Sequence, residues 1–183
     1  DAQKRIEKNT PLNSKPFTAE LGNVSPVIVV PGEWSEKMLR TQAQELAAWT
    51  TLVAGYGCLT PRVILTHKEW PLRELFLQEL DKAMRAVPPK YLYYLGTKDR
   101  ITALEKVSPD KFVKIDDKET GDLKCAHIFG LDPEIDDDLH FRHEHFCPVI
   151  SEIPVDANTV EEFFEKSTSL ANKQLWGTLV ANI

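Results

Sequence analysis

Two short, uninterrupted apolar runs, each followed by a helical stripe, most constrain what this chain can become. Val27-Ile28-Val29-Val30 is stopped by Pro31-Gly32. An apolar run of that length between turn formers reads as a strand buried on both faces. A helix then opens at Trp34 or Ser35 and reaches Ala54, with Met38, Ala43, Leu46, Ala47 and Leu52 on one stripe. Arg62 to Thr66 is a second strand. Pro71, in a first helical turn, starts a second helix carrying Leu72, Leu75, Phe76, Leu80 and Met84, and Pro88-Pro89 ends it. Two strand–helix units in succession predict an α/β fold, a mostly parallel sheet flanked by helices.

Beyond residue 90 the pattern is less regular. Tyr91-Leu92-Tyr93-Tyr94 reads as a strand or a surface aromatic patch, with a loop or short strand favoured. Ile101 to Lys106 reads as helix, and Lys114 to Asp122 as a charged, turn-rich excursion. Cys125 to Phe129 and Pro148 to Ile153 read as strands, Thr159 to Leu170 as a helix, and Leu175 to Ile183 as a closing strand. The 183 residues suit one domain or one large lobe, and 42% apolar residues suffice for a core. A net charge of −6, with no Lys/Arg-rich stretch, argues against a nucleic-acid partner. No run of about 18 apolar residues predicts a membrane span. Cys58, Cys125 and Cys147 are an odd count without CxxC spacing, which fits a reducing, cytoplasmic setting. The start, Asp1-Ala2-Gln3-Lys4-Arg5, has neither Met nor a signal-peptide apolar region, so the chain is expected to be a processed or excised piece.

Two residues stand out for chemistry. Cys58 lies in Gly55-Tyr56-Gly57-Cys58-Leu59-Thr60-Pro61-Arg62, between a helix and a strand. Glycine permits positive φ and close approach there, so a thiol on this turn is open to a substrate. A free cysteine is commonly a small buried hydrophobe; the junction favours a nucleophile over that. Glu20 precedes the first strand in Thr18-Ala19-Glu20-Leu21-Gly22. It is a solvated carboxylate or a general base, and a Cys–Glu pair on successive loops is a workable arrangement for covalent catalysis. His140, His143, His145 and Cys147 follow Asp136-Asp137-Asp138. His143 and His145 would share one face of a strand, as metal ligands can, but nothing completes a tetrahedral set and no metal is expected. The tryptophans and Phe163-Phe164 read as packing residues.

Four segments, in order, resemble the aldehyde dehydrogenase superfamily. Phe17-Thr18-Ala19-Glu20-Leu21-Gly22-Asn23-Val24-Ser25-Pro26 is similar to the family's Glu-Leu-Gly-Gly-Lys-Ser-Pro segment. Gly57-Cys58 with Pro61-Arg62-Val63 is similar to its nucleophile segment. Glu144-His145-Phe146-Cys147-Pro148-Val149 is similar to Glu-Ile-Phe-Gly-Pro-Val, and Asn172 to Leu179 to a later Asn, aromatic, Gly, Leu segment. Asn23, Val24 and Cys147 depart from the family pattern and indicate a divergent branch.

The resemblance implies a single catalytic domain over residues 1–183, with the nucleotide-binding domain of the same polypeptide lying mostly before residue 1. It implies an aldehyde substrate, NAD or NADP as cofactor, and a homo-oligomer for the full-length protein. Cys58 would attack the aldehyde, and hydride loss would leave a thioester that water hydrolyses. Glu20 would be the base, Glu144 would bind a ribose of the nicotinamide nucleotide, and Phe146 would lie near the nicotinamide or else belong to the core. Asn172 would at most hold a loop. Alternatives are an acyl-CoA reductase-like enzyme, a non-catalytic assembly or binding domain, and a metal module on the 140–147 stretch.

Overall fold

A computed structural model describes residues 2–13, 15–19, 22–177 and 179–183. The chain opens with α1 (Ala2–Glu7), which buries nothing. Then follow β1 (Ser25–Val29), α2 (Glu36–Thr51), β2 (Pro61–His67), α3 (Arg73–Ala86), α4 (Thr97–Val107), β3 (Phe112–Asp116), β4 (Leu123–Ile128), α5 (Leu139–Arg142), β5 (Val149–Val155) and α6 (Val160–Lys173). Among the described residues one sheet forms, in the order β1-β2-β5-β4-β3. The first four strands of that order run parallel, and β3 is antiparallel to β4.

Both sheet faces are covered, so the strands carry apolar residues to two cores, and polar residues buried within them, such as Arg62 and Glu152, are hydrogen-bonded. Alternate residues serve opposite cores. Val63, Leu65, Val149 and Ile153 pack with Ile101, Leu104, Phe141 and Phe163, from the α4, α5 and α6 side. Ile64, Ile150 and Cys125 pack with Leu39, Leu46, Phe76, Leu80 and Met84, from α2 and α3.

The α2 stripe is rotated from its sequence reading. Met38 and Leu52 are exposed, and Leu39 is the buried residue of that turn. Ser35 caps the helix, its Oγ accepting the Met38 N–H at 3.2 Å. A cap contributes about 1 kcal/mol. Burying Leu39 and Leu46 contributes about 1.5–3 kcal/mol each. The buried stripe therefore sets the rotation. α3 starts at Arg73, just after Pro71, and Val87 ends it before the prolines.

Two further expectations are corrected. The charged excursion at 114–122 contains a strand: Lys114 and Asp116 of β3 face outward while Ile115 is buried against Cys125 of β4. Charges on an edge strand block further pairing. Among the described residues of 175–183 no closing strand forms. Asn182 makes an isolated bridge to β1, its N–H donating to the Pro26 carbonyl at 3.0 Å and its carbonyl accepting from the Ile28 N–H at 2.9 Å. Tyr91–Tyr94 form a loop, as favoured. No described helix is long and apolar enough to cross a membrane.

Candidate active site

The sheet topology brings the singled-out segments to one edge. Residues 22–24 precede β1, residues 57–60 precede β2, and residues 144–148 precede β5. Those three strands are neighbours and parallel. Their entry loops therefore lie side by side at the amino-terminal edge of the sheet.

Cys58 is half-buried in a turn closed by the Thr60 N–H donating to the Gly57 carbonyl at 3.1 Å. The turn is fixed to the β1 entry. Ser25 Oγ donates to the Cys58 carbonyl at 3.1 Å, and Asn23 Nδ2 donates to Ser25 Oγ at 2.6 Å and to the same carbonyl at 3.4 Å. Asn23 Oδ1 accepts the Leu179 N–H at 3.3 Å, and the Val24 N–H donates to the Trp176 carbonyl at 2.8 Å. Asn23, a departure from the family pattern, thus ties the cysteine turn to the carboxy-terminal segment.

Between α2 and Cys58 the backbone reverses its hand. Val53, Ala54 and Gly55 have φ of 50°, 54° and 73°. A β-branched residue at positive φ is an outlier that surrounding contacts must hold. At Gly55 the reason is explicit: a Cβ would sit 2.5 Å from the Cys147 carbonyl carbon and oxygen. Gly57, which adjoins the thiol in sequence, is less confined.

Arg62 holds the loops together. It is fully buried at the start of β2, and donates from Nη1 to the Cys147 carbonyl (2.7 Å) and from Nη2 to the Gly55 (2.8 Å) and Gly57 (3.2 Å) carbonyls. The same Nη2 lies 3.9 Å from Glu144 Oε1. Burial lowers its pKa from the ordinary value, and the Glu144 charge opposes that; a guanidinium remains charged regardless. The sequence signal for Arg62 was a lone cation inside an apolar strand. Sequence reasoning named it only as part of a motif.

Glu144 is half-buried in the loop before β5, beside Gly22. Phe146, with φ of 45°, joins an aromatic cluster, its ring 5.1 Å from Tyr94 and 5.8 Å from Tyr56. Arg100, unremarkable in sequence, fixes that loop by donating to the His145 carbonyl at 2.7 Å and the Phe146 carbonyl at 3.2 Å. Glu20 lies outside the described residues. Asn172 is in α6.

The other thiols differ from Cys58. Cys125 and Cys147 are fully buried, and burial pushes each thiol up to about 12. The stretch 143–147 is an irregular loop, and His143 and His145 do not share a strand face: His143 is exposed and His145 is buried. His140 is buried, with Nε2 2.8 Å from Ser108 Oγ. Among the described residues no group of three His, Cys, Asp or Glu side chains is placed to hold a metal ion.

No family model matches the sequence, and no curated protein matches it. Solved structures match closely in fold. One is an indole-3-acetaldehyde dehydrogenase in complex with NAD+, at TM-score 0.70 and 18% identity, covering 94% of this chain and 35% of that one. The lactaldehyde dehydrogenase from Escherichia coli matches at TM-score 0.68 and 17% identity, over 94% of this chain and 36% of that one. The NADP-dependent glyceraldehyde-3-phosphate dehydrogenase from Bacillus halodurans C-125, complexed with NADP, matches at TM-score 0.64 and 12% identity, over 99% and 42%. The chain therefore has an aldehyde dehydrogenase fold, and it spans well under half the length of these structures.

Proposed function

We propose that this chain is the thiol-bearing catalytic domain of an NAD(P)+-dependent aldehyde dehydrogenase that converts an aldehyde to a carboxylic acid, working with a nucleotide-binding domain of the same polypeptide. The observation that carries the reading is the convergence at one sheet edge of the Cys58 turn, the Asn23–Ser25 clamp and the Glu144–Phe146 loop, joined through Arg62.

Cys58 adds to the aldehyde carbonyl as a thiolate, since the thiol is a weak nucleophile. A bound nicotinamide nucleotide supplies the hydride acceptor. The residues present suit its nicotinamide–ribose half. Glu144 presents a carboxylate, which accepts from vicinal hydroxyls, and Phe146 presents a ring held in a fixed backbone conformation. No Gly-rich phosphate-binding turn follows a strand in this sequence, so the pyrophosphate is assigned to the other domain. Glu20 then takes a proton from the water that hydrolyses the Cys58 thioester.

The clamp explains how the thiol is positioned. Both the carbonyl of Cys58 and that of Gly57 are hydrogen-bonded, so the turn is fixed on either side of the Cα that carries Sγ. Pre-set geometry of this kind is a large part of catalytic rate. The test is NAD(P)H formation from an aldehyde panel by the full-length enzyme and its Cys58→Ala variant. Loss of NAD(P)H formation with nucleotide binding retained supports the reading. Turnover retained in Cys58→Ala removes it.

A further inference from the structure

One buried group in the candidate site has no part in the proposed chemistry. His145 sits between Glu144 and Phe146 in the loop before β5, and is only 2% exposed. Whatever packs on this chain can only bury it further. Its Nε2 is enclosed and has no hydrogen-bond partner among the described residues. Basic groups act on it from every side: Arg62 of β2, Arg100 of α4, His140 of α5 and His143 of its own loop. The His140 ring is 6.3 Å away and edge-on. Of its chain neighbours, Glu144 has Oε1 3.9 Å from Arg62 Nη2, and Cys147 is a buried thiol. Burial first, and these cations after it, hold the imidazole well below its ordinary pKa, so it is neutral in the folded chain.

The same two guanidinia fasten the loop. Arg100 donates to the His145 and Phe146 carbonyls, and Arg62 to the Cys147 carbonyl. The segment so fastened is strained, since Phe146 takes φ of 45°, which a residue other than glycine keeps only while its contacts hold it. Two fastenings on a strained segment make an element with two states, latched and open. In the latched state a proton on His145 would be a third cation beside two guanidinia, stripped of water. In the open state water solvates it. An apolar side chain would fill the same space without an orphaned nitrogen, so packing gives no reason for a histidine here.

We propose that His145 is a positioning residue that makes the Glu144–Phe146 loop an acid-sensitive latch: the neutral imidazole lets Arg62 and Arg100 hold the loop, and protonation opens it. The proposal rests on the reading of this loop as the nicotinamide–ribose contact, so that mild acid loosens the grip on the nucleotide. The imidazole takes a proton in the open loop, near the ordinary value of 6.5. Closure is therefore fully favoured above that pH and is lost progressively below it. Between about pH 7.5 and about pH 5, one such proton multiplies the open fraction on the order of thirtyfold.

Cys147, buried in the same loop, reports the opening. In the full-length enzyme its modification by 4,4′-dithiodipyridine, which reacts in mild acid, is followed by site-resolved mass spectrometry over that pH range. Each rate is divided by the rate in the urea-unfolded chain at the same pH. The quotient should rise on the order of thirtyfold on acidification, with Cys147 ahead of Cys125, which is buried in β4, throughout. His145→Leu and His145→Gln should each hold the rise below about threefold. His127→Gln, which removes a buried histidine from β4, should leave it intact. A flat quotient in the unaltered enzyme, a rise that survives both His145 variants, or one that His127→Gln also abolishes overturns the latch and leaves the dehydrogenase reading standing. Equal rates at Cys147 and Cys125 mean that the whole domain opens, and overturn it as well. NAD(P)+ separates the two readings: bound nucleotide should slow Cys147 modification by holding the loop closed. A pH-sensitive quotient that nucleotide leaves unchanged supports the latch and removes Glu144 and Phe146 from the nucleotide site.

Discussion

Gly55 and Gly121 share a φ of +73°, yet their surroundings are opposite. Around Gly121 a new Cβ would meet nothing within 4 Å. At Gly55 it would stand 2.5 Å from the Cys147 carbonyl carbon and oxygen and 2.6 Å from Pro148 N, all backbone atoms. Replacing each by Ala therefore separates two effects. The left-handed conformation costs an L-residue roughly 1–2 kcal/mol at either site. The clash adds roughly 1–3 kcal/mol of overpacking at Gly55 alone. Gly121→Ala should thus lower stability by about 1–2 kcal/mol and Gly55→Ala by about 2–5 kcal/mol. The latter is a large share of the ~5–15 kcal/mol that holds a domain folded. Urea titration measures both. With a slope of roughly 2 kcal/mol per molar, the midpoint should fall by about 0.5–1 M for Gly121→Ala and by at least about 1 M for Gly55→Ala. Equal shifts would refute the close approach of the Gly55 turn to the β5 entry, and with it the packing that presents Cys58.

Arg62→Met should leave two buried carbonyls and the half-buried Gly57 carbonyl without their charged donor and cost about 3–5 kcal/mol, read by the same titration; a loss under 1 kcal/mol would mean that the arginine does not organise the loops. His127, His140 and His145 are held below the ordinary histidine pKa, chiefly by burial, so the unfolded chain binds more protons as pH falls through about 6.5. Stability should therefore be full above that value and decline from pH 7 to pH 5, and a flat urea midpoint over that range would contradict neutral buried histidines. With iodoacetamide at neutral pH, Cys58 should be modified well before Cys125 and Cys147, whose thiols burial raises to about 12; equal rates at all three would contradict its distinct setting.

What was legible in the sequence was whatever repeats the sheet's own logic. Val27–Val30 and Arg62–Thr66 announced strands because both of their faces are buried, and Pro71 and Pro88-Pro89 bounded α3. β3 was hidden because an edge strand carries charges: Lys114 and Asp116 made it look like a turn. The apolar tail looks like a strand in sequence, but Gly177 takes φ +88° against Asn23, and among the described residues Asn182 alone bridges β1. At the candidate site, the placement of Cys58 on a turn between helix and strand was legible from the nearby glycines, although the crowded glycine is Gly55 and not its neighbour Gly57. The roles of Arg100 and Asn23 were not legible, since each acts on backbone carbonyls brought near only by folding. The site also lies at the amino-terminal edge of the strands, whereas open α/β sheets usually bind ligands at the carboxyl ends. Motif order in the sequence points the candidate site to that edge, where the general rule would not.

The proposed covalent chemistry is tested most directly by catching its intermediate. In the full-length enzyme carrying Glu20→Gln, loss of the general base should slow thioester hydrolysis by about 10²–10⁴-fold. Acid quench after mixing with NAD(P)+ and an alkyl aldehyde, followed by peptide mass spectrometry, should then show one acyl group on Cys58, formed in step with the first equivalent of NAD(P)H. A burst of NAD(P)H with Cys58 unmodified, or with the acyl group on another residue, would contradict the assignment of Cys58 as the nucleophile.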